Sequence, residues 1–330
     1  MPPTSFLPIV AVVGATASGK TSLSLDLAER LGGEVVNTDA MQVYRGMDIG
    51  TAKLPEDERR GIRHHLLDVL AVRDPLTVAE FQGWARDAIG ALHAAGRVPV
   101  LVGGSALYTR AVLDRFDFPG TDDAVRRRLE ADLAEVGSAE MHHRLRSVDP
   151  EAADRILVEN GRRIVRALEV VEITGRPFSA SLPTLEYADP ASVQIGVDID
   201  RPTLDTRIEQ RVDLMFEQGL VAEVERLLAE GLAEGRTAVT AIGYREVVAH
   251  LRGDLTLDEA RERTIFATRR FARRQDSWFR KDPRITWLRY DDPELVDRAV
   301  AAIASAHRTA PRTEQERSGA GDGAAARLDP

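Results

Sequence analysis

Apolar and polar positions follow two rhythms along this chain. Residues 7–13 form a short apolar, β-branched run that stops at Gly14, which predicts a buried strand. Residues 21–31 then carry Leu23, Leu25, Leu27, Ala28 and Leu31 at helical spacing, and Gly32-Gly33 supplies the stop. Residues 34–38 predict a second strand, with Asp39 just past its end. Residues 77–95 form the clearest helix. Thr77 and Glu80 make a capping box, and Phe81, Trp84, Ala85, Ala88, Ile89 and Leu92 line one face. Gly96 ends that helix, and residues 99–102 predict another buried strand running into Gly103-Gly104. Strand–helix–strand alternation implies a parallel sheet with helices on its faces.

Strand signals then disappear between about residues 117 and 189. Segments 122–135, 138–147, 150–157 and 160–174 read as short helices, one of them opened by Asp149-Pro150. Residues 193–199 alternate and resume the sheet, and 203–230 and 256–281 read as long helices. The expected organisation is a core of residues 1–116, a helical insertion of 117–191, a second core part of 192–306 with basic C-terminal helices, and a disordered tail of 307–330 without periodicity.

Composition narrows the chemistry. The 330 residues, 43% hydrophobic, suffice for one large core. No apolar run approaches the ~18 residues of a membrane span, and the apolar start lacks the basic flank of a signal peptide. The absence of cysteine excludes disulfides, thiolate metal sites and cysteine nucleophiles, and fits a cytoplasmic protein. The net charge of -9 by itself argues against nucleic acid, but it hides an uneven distribution. Residues 261–290 hold ten basic and three acidic side chains, a local net of +7.

Gly14-Ala15-Thr16-Ala17-Ser18-Gly19-Lys20-Thr21 fits G-x-x-x-x-G-K-T between a strand and a helix. Backbone amides and the helix N-terminus favour phosphate oxygens, Lys20 adds a full charge, and the Thr21 hydroxyl can hold magnesium. A di- or triphosphate compound is therefore expected, though the motif does not name it. Nucleotide hydrolases usually end a second apolar strand in an acidic residue. Here residues 99–102 end in Gly103-Gly104-Ser105. Asp39 lies where open parallel sheets bind ligands, and reads either as a turn aspartate or as a general base. Asp48 and Lys53 read equally as solvated loop charges. His64-His65 has the wrong helical spacing for a metal pair and no evident third ligand.

Together the phosphate loop, the block 39–53 (DAMQVYRGMDIGTAK), His64-His65-Leu66-Leu67-Asp68 and Leu101-Val102-Gly103-Gly104-Ser105-Ala106-Leu107-Tyr108 resemble the tRNA dimethylallyltransferase family. The resemblance continues through Arg163-Ile164-Val165-Arg166-Ala167-Leu168-Glu169, Arg207-Ile208-Glu209-Gln210-Arg211, Ile242-Gly243-Tyr244-Arg245-Glu246 and Arg273-Arg274-Gln275 with Trp278, covering roughly residues 8 to 290. It implies an α/β fold, a P-loop NTPase-like parallel sheet core with a helical insertion domain. It also implies dimethylallyl diphosphate as donor, magnesium as cofactor, and the adenosine amine just 3′ of the anticodon of tRNA as acceptor. By the same resemblance Lys20 and Thr21 hold the diphosphate and its magnesium, Asp39 is the base, Ser105 lies close to the reaction centre and Arg211 contacts the diphosphate. Contacts to tRNA are implied for Asp39, Ala40, Met41, Gln42, Ser105, Arg126, Arg162, Arg163, Ile164, Val165, Arg166, Thr240, Ala241, Ile242, Gly243, Tyr244 and Arg245. A monomer is expected.

Three positions depart from the family pattern. Ala15 replaces a frequent proline, Ala40 a frequent serine and Ser105 a frequent threonine, so one side-chain contact at residue 40 is in doubt. The rival readings are a P-loop small-molecule kinase, a prenyltransferase acting on free adenine nucleotide, and a non-enzymatic RNA-binding protein. None of them accounts as well for both the block 39–53 and the arginine-rich helices.

Overall fold

The chain was analysed as a computed structural model, which describes residues 7–116, 118–181 and 185–309, with backbone only for 180, 181 and 307–309. Of the tail expected over 307–330, residues 307–309 instead continue the last helix, and the rest lies outside the described residues. Contacts divide the chain into two units, 1–113 with 189–330, and 114–188.

In the first unit the apolar run becomes β1 (Ile9–Val13), buried at every position. α1 (Lys20–Leu31) follows the glycine-rich loop and is closed by Gly32 in the left-handed region at φ 63°. β2 (Gly33–Asn37) and the two-residue β3 (His64–His65) come next. α2 (Val78–Ala94) carries the expected capping box, and β4 (Val98–Val102) and α3 (Ala106–Leu113) complete this half. The second half of the unit supplies β5 (Ser192–Asp198), later joined by β6 (Ile285–Arg289). The six strands run all parallel in the order β3-β2-β4-β1-β5-β6. This order sets the site. β2, β4 and β1 are neighbours, so the loops leaving their C-terminal ends emerge side by side, where ligands bind in such sheets.

One expectation is corrected here, and two strands are added. Residues 203–230 are not one helix. Gly219, at φ 99°, splits the segment into two. β3 and β6 carry no sequence signal strong enough to find, because a two-residue strand has no periodicity and β6 is only partly buried.

In the second unit the helical insertion is present, with no strand longer than an isolated bridge between Asp114 and Tyr187 among the described residues. A helical run over Asp123–Val148 is interrupted at Gly137, whose φ of 79° and ψ of 167° divide it where the sequence pattern does. Pro150–Arg155 and Gly161–Thr174 follow, numbered with that run as α4, α5 and α6. Asp122, Asp149 and Asn160 cap them by accepting amide hydrogens of their first turns. Met141, Leu145, Ile164 and Val165 belong to their shared core.

The remaining helices belong to the first unit. They are α7 (Arg201–Glu217), α8 (Leu220–Ala229), α9 (Tyr244–Leu251), α10 (Leu257–Phe279) and α11 (Leu295–Thr309). α1 and α11 pack on the sheet, with Leu23, Leu27, Ala299 and Ile303 meeting Val10, Val12, Val100 and Ile195. No helix among the described residues is long and apolar enough to cross a membrane.

Candidate active site

The phosphate loop is curled by three residues with positive φ: Gly14 at 142°, Ala17 at 65° and Gly19 at 104°. Ala17 is the one non-glycine of the three, and such backbone strain gathers at ligand-binding turns. The curl wraps the loop over the start of α1, whose first-turn amides have no helical partner. Lys20 Nζ donates to the Ala15 carbonyl at 2.6 Å, which folds the side chain back over the loop. The buried Ser18 hydroxyl has no partner among the described atoms.

The loop after β2 brings Asp39 to the same edge. The Asp39 N–H donates to Asn37 Oδ1 at 2.9 Å, and Asp39 Oδ1 accepts from the Met41 N–H at 2.9 Å. Asn37 Nδ2 in turn donates to the carbonyls of Asp39 and Leu66. The carboxylate is thus held at a defined angle. Burial raises its pKa, opposed by the Met41 amide, by the charge of Lys20 and by the Gln42 amide.

The loop after β4 explains why that strand ends in glycines rather than an acid. A Cβ at Gly103 would lie 2.6 Å from the Thr38 carbonyl carbon, and one at Gly104 2.1 Å from Gln275 Nε2. Gly103 makes room for the Thr38 backbone and Gly104 for the Gln275 side chain of the helix over Leu257–Phe279.

Two adjoining cavities open here. The smaller is lined by Thr16, Lys20, Thr21, Asp39, Gln42, Arg211 and Gln275, with Leu54, Leu67, Val102 and Phe271 as its apolar part. The larger is lined by Asp39, Ala40, Met41, Ser105, Arg211, Thr240, Ala241, Ile242 and Arg245, and by Arg263, Phe266, Arg270 and Arg274 of α10. Asp39 and Arg211 line both, so they stand at the junction. Lys20 and Arg211 are cations of one small space. Burial, then the charge of Arg211, depresses the Lys20 pKa to about 7, against a smaller upward effect of Asp39. Arg211 has no carboxylate partner among the described residues, and burial with nearby Arg207 lowers its pKa too. A half-buried surplus of positive charge of this kind favours an anionic ligand.

The block 39–53 is held by contacts the sequence alone does not show. Lys53, read as a possible loop charge, is 8% exposed and binds Asp48 Oδ1 and Asp68 Oδ1, each at 2.6 Å, and the Tyr44 carbonyl at 2.9 Å. Glu223 accepts from the amides of Asp48, Ile49 and Gly50 and from the Tyr244 hydroxyl at 2.6 Å. No sequence signal marked Glu223, because the backbone amides it binds lie 173 to 175 residues away. His65 pairs with Glu34 at 2.7 Å, and the His64 ring meets the Ile62 carbonyl.

Several expected RNA-contacting positions have other work in this structure. Tyr244, Ile164 and Val165 are buried, so their side chains pack rather than face a polynucleotide. Arg126 and Arg166 are committed to the fully buried Glu169, at 2.5 and 2.9 Å, and Arg166 also donates to the Pro119 and Gly120 carbonyls. Arg162 and Arg163 are exposed. The basic segment 261–290 is likewise divided. Arg261, Arg269, Arg280, Arg284 and Arg289 pair with carboxylates, whereas Arg263, Arg270 and Arg274 face the larger cavity.

A phosphate loop on a parallel sheet, with a carboxylate and an unpaired arginine at a cavity junction, defines a P-loop group-transfer enzyme. The family model of the IPP transferases matches residues 42–282. A tRNA dimethylallyltransferase of Nocardioides sp. is 78% identical over 298 residues, 90% of this chain and 96% of the relative. One of Thermobifida fusca is 57% identical over 93% of this chain and 99% of the relative. The crystal structure of a full-length tRNA isopentenylpyrophosphate transferase from Bacillus halodurans superposes with a TM-score of 0.67 at 38% identity, covering 95% of this chain and 98% of that one. A eukaryotic dimethylallyltransferase captured acting on tRNA superposes at 0.78 with 25% identity, covering 94% and 82%. The chain belongs to the tRNA dimethylallyltransferase (IPP transferase) family.

Proposed function

We propose that this enzyme moves the dimethylallyl group of dimethylallyl diphosphate onto the exocyclic amine of the adenosine immediately 3′ of the anticodon in tRNA, releasing diphosphate. The observation that carries this reading is Asp39 at the junction of a small cationic cavity and a larger, arginine-rimmed one. The small cavity suits the donor, with cations and loop amides for the diphosphate and Leu54, Leu67 and Phe271 for the carbon chain. The larger one suits a base turned out of an RNA loop, since single-stranded RNA is held by Arg and Lys with its bases splayed.

Each group then has a task. An adenine amine is a poor nucleophile because its lone pair is delocalised, so the allylic carbon must develop positive charge as diphosphate leaves. Lys20, Arg211 and the loop amides stabilise the negative charge growing on the leaving group. Asp39 takes the proton from the amine as the C–N bond forms, and its raised pKa makes it a better base than an ordinary aspartate. Ser105, which lines the larger cavity, would orient the amine through its hydroxyl. Thr21 and Asp39 are hard oxygen donors beside the loop, a set that fits magnesium, and Thr21 would hold it. Bound there, the ion would neutralise diphosphate charge. Arg162 and Arg163 would meet tRNA phosphates.

The cysteine-free composition supports a cytoplasmic place of action, and we read the chain as a monomer. The test offers radiolabelled dimethylallyl diphosphate with unmodified tRNA, with AMP, or alone. Label should enter tRNA. Label in AMP instead would move the acceptor to free nucleotide, and faster turnover of ATP than of the prenyl donor would replace this reading by the kinase one.

A further inference from the structure

Gln275 lies in α10, only 4% exposed, and both ends of its amide are used. Its Oε1 accepts from the Thr16 N–H of the phosphate loop at 2.9 Å. Its Nε2 donates to the Gly104 carbonyl at 2.8 Å, next to Ser105. One side chain therefore ties together the loops after β1 and β4, from 259 and 171 residues away. Gly104 is shaped to admit it, since a Cβ there would lie 2.1 Å from Nε2. The same stretch of helix faces both cavities. Arg270 and Arg274 line the larger, Gln275 the smaller, and Phe271 both.

We propose that Gln275 is a positioning residue that locks the phosphate loop and the Ser105 loop in register with α10, so that RNA bound along α10 alters the donor site through this one amide. The inference rests on reading the two cavities as donor and acceptor sites. The chemistry of the side chain makes it specific. The carboxamide puts a carbonyl acceptor and an N–H donor side by side on one terminal group, and of the two carboxamide residues Gln has the longer stem. Glutamate would keep the acceptor, lose the donor and place negative charge beside an anion site. Methionine would keep the bulk and lose both bonds, leaving a buried N–H and a buried C=O without their partner. A loop shift of about 1 Å is enough to lower turnover by about 10²-fold.

The experiment measures magnesium pyrophosphate affinity with and without saturating unmodified tRNA, together with prenyl transfer, for the wild type, Gln275→Met, Gln275→Glu and Gly104→Ala. In the wild type, bound tRNA should change pyrophosphate affinity by about 5-fold or more, the low end of usual coupling between sites. In Gln275→Met that ratio should fall to about one and kcat should drop by about 10- to 100-fold, with tRNA affinity within error of the wild type and a melting temperature lowered by only a few degrees for the two unpaired backbone groups. Gly104→Ala, which displaces the amide without touching it chemically, should do the same. Gln275→Glu should also raise the donor KM. A wild type without coupling, or a Gln275→Met variant that keeps both coupling and kcat, overturns the inference. A loss of kcat that follows only a lowered melting temperature, with coupling intact, also overturns it and leaves Gln275 as scaffold. Failure of the wild type to prenylate tRNA at all would instead refute the function on which the inference rests.

Discussion

Arg211 shares a small cavity with Lys20 and helps hold the lysine's pKa near 7, second only to burial. The consequence is a proton linkage. Bound diphosphate favours the ammonium form, so binding raises the Lys20 pKa from about 7 and takes up a proton when the solution lies above that value. Affinity for the anion should therefore fall as pH rises through 7. Calorimetry of magnesium pyrophosphate binding at pH 8, in buffers of different ionisation heat, should show more proton uptake in the wild type than in Lys20→Met. Equal uptake in the two proteins would assign the proton to another group.

Asp39→Asn keeps the size and the contact to the Met41 amide but cannot take the amine proton. Turnover should fall by about 10²-fold or more with little change in tRNA binding. Because the wild-type carboxylate titrates above the ordinary aspartate range and acts deprotonated, its kcat should decline as pH falls through that raised pKa. A variant keeping more than about half of wild-type turnover at saturating substrate would remove Asp39 from this role.

The arginines of α6 should separate by what they touch. Arg162 and Arg163 are exposed, so their joint replacement by Ala should flatten the slope of log affinity against log salt by up to ~1.4 if both meet RNA phosphates, at ~0.7 per contact. Their melting temperature should not change. Filter binding at several salt concentrations checks this, and an unchanged slope would make them a solvated face.

Arg126 and Arg166 should behave in the opposite way. Burial would raise the Glu169 pKa, but hydrogen bonds from Arg126 and Arg166 more than offset it and the net shift is downward. A lowered folded-state pKa contributes stability that is present above the ordinary glutamate range and lost as pH falls through the lowered value. Replacing both arginines by Ala strands a buried charge and should cost about 3–5 kcal/mol in denaturant unfolding near neutral pH, with the loss shrinking in acid. A double variant as stable as the wild type would show that Glu169 takes up a proton at little cost.

Gly50 should tolerate no side chain. A Cβ there would lie 2.4 Å from the Tyr244 ring, whose hydroxyl is held by Glu223, and Glu223 also binds the amides of residues 48–50. Gly50→Ala should cost about 1–3 kcal/mol by overpacking. It should also lower turnover, since Thr51 and Ala52 line both cavities. Normal turnover in a destabilised variant would separate this loop from the chemistry.

What the sequence by itself determined is what depends on near neighbours. The strand–G-x-x-x-x-G-K-T–helix signal, the Thr77–Glu80 capping box and the glycine break at 137 rest on interactions within a few residues, and each stands where the pattern puts it. Asp39 was legible as a candidate because it follows a buried strand at the edge where open α/β sheets bind ligands. The tertiary structure alone decided which charges are available. Arg166 and Arg162 share one helix and look alike in sequence, yet one is bound to Glu169 and the other exposed. Tyr244 looked like an RNA contact and is buried on Glu223. Glu223 carried no signal, and Gln275 stood out only as part of the family-like Arg273-Arg274-Gln275, with nothing to name its partners, because a carboxylate or an amide is selected there by backbone groups brought close only when the sheet has assembled. Local patterns reveal elements. The partner of a buried polar group is a property of the folded chain, since the cost of leaving it unpaired exists only once water has been excluded.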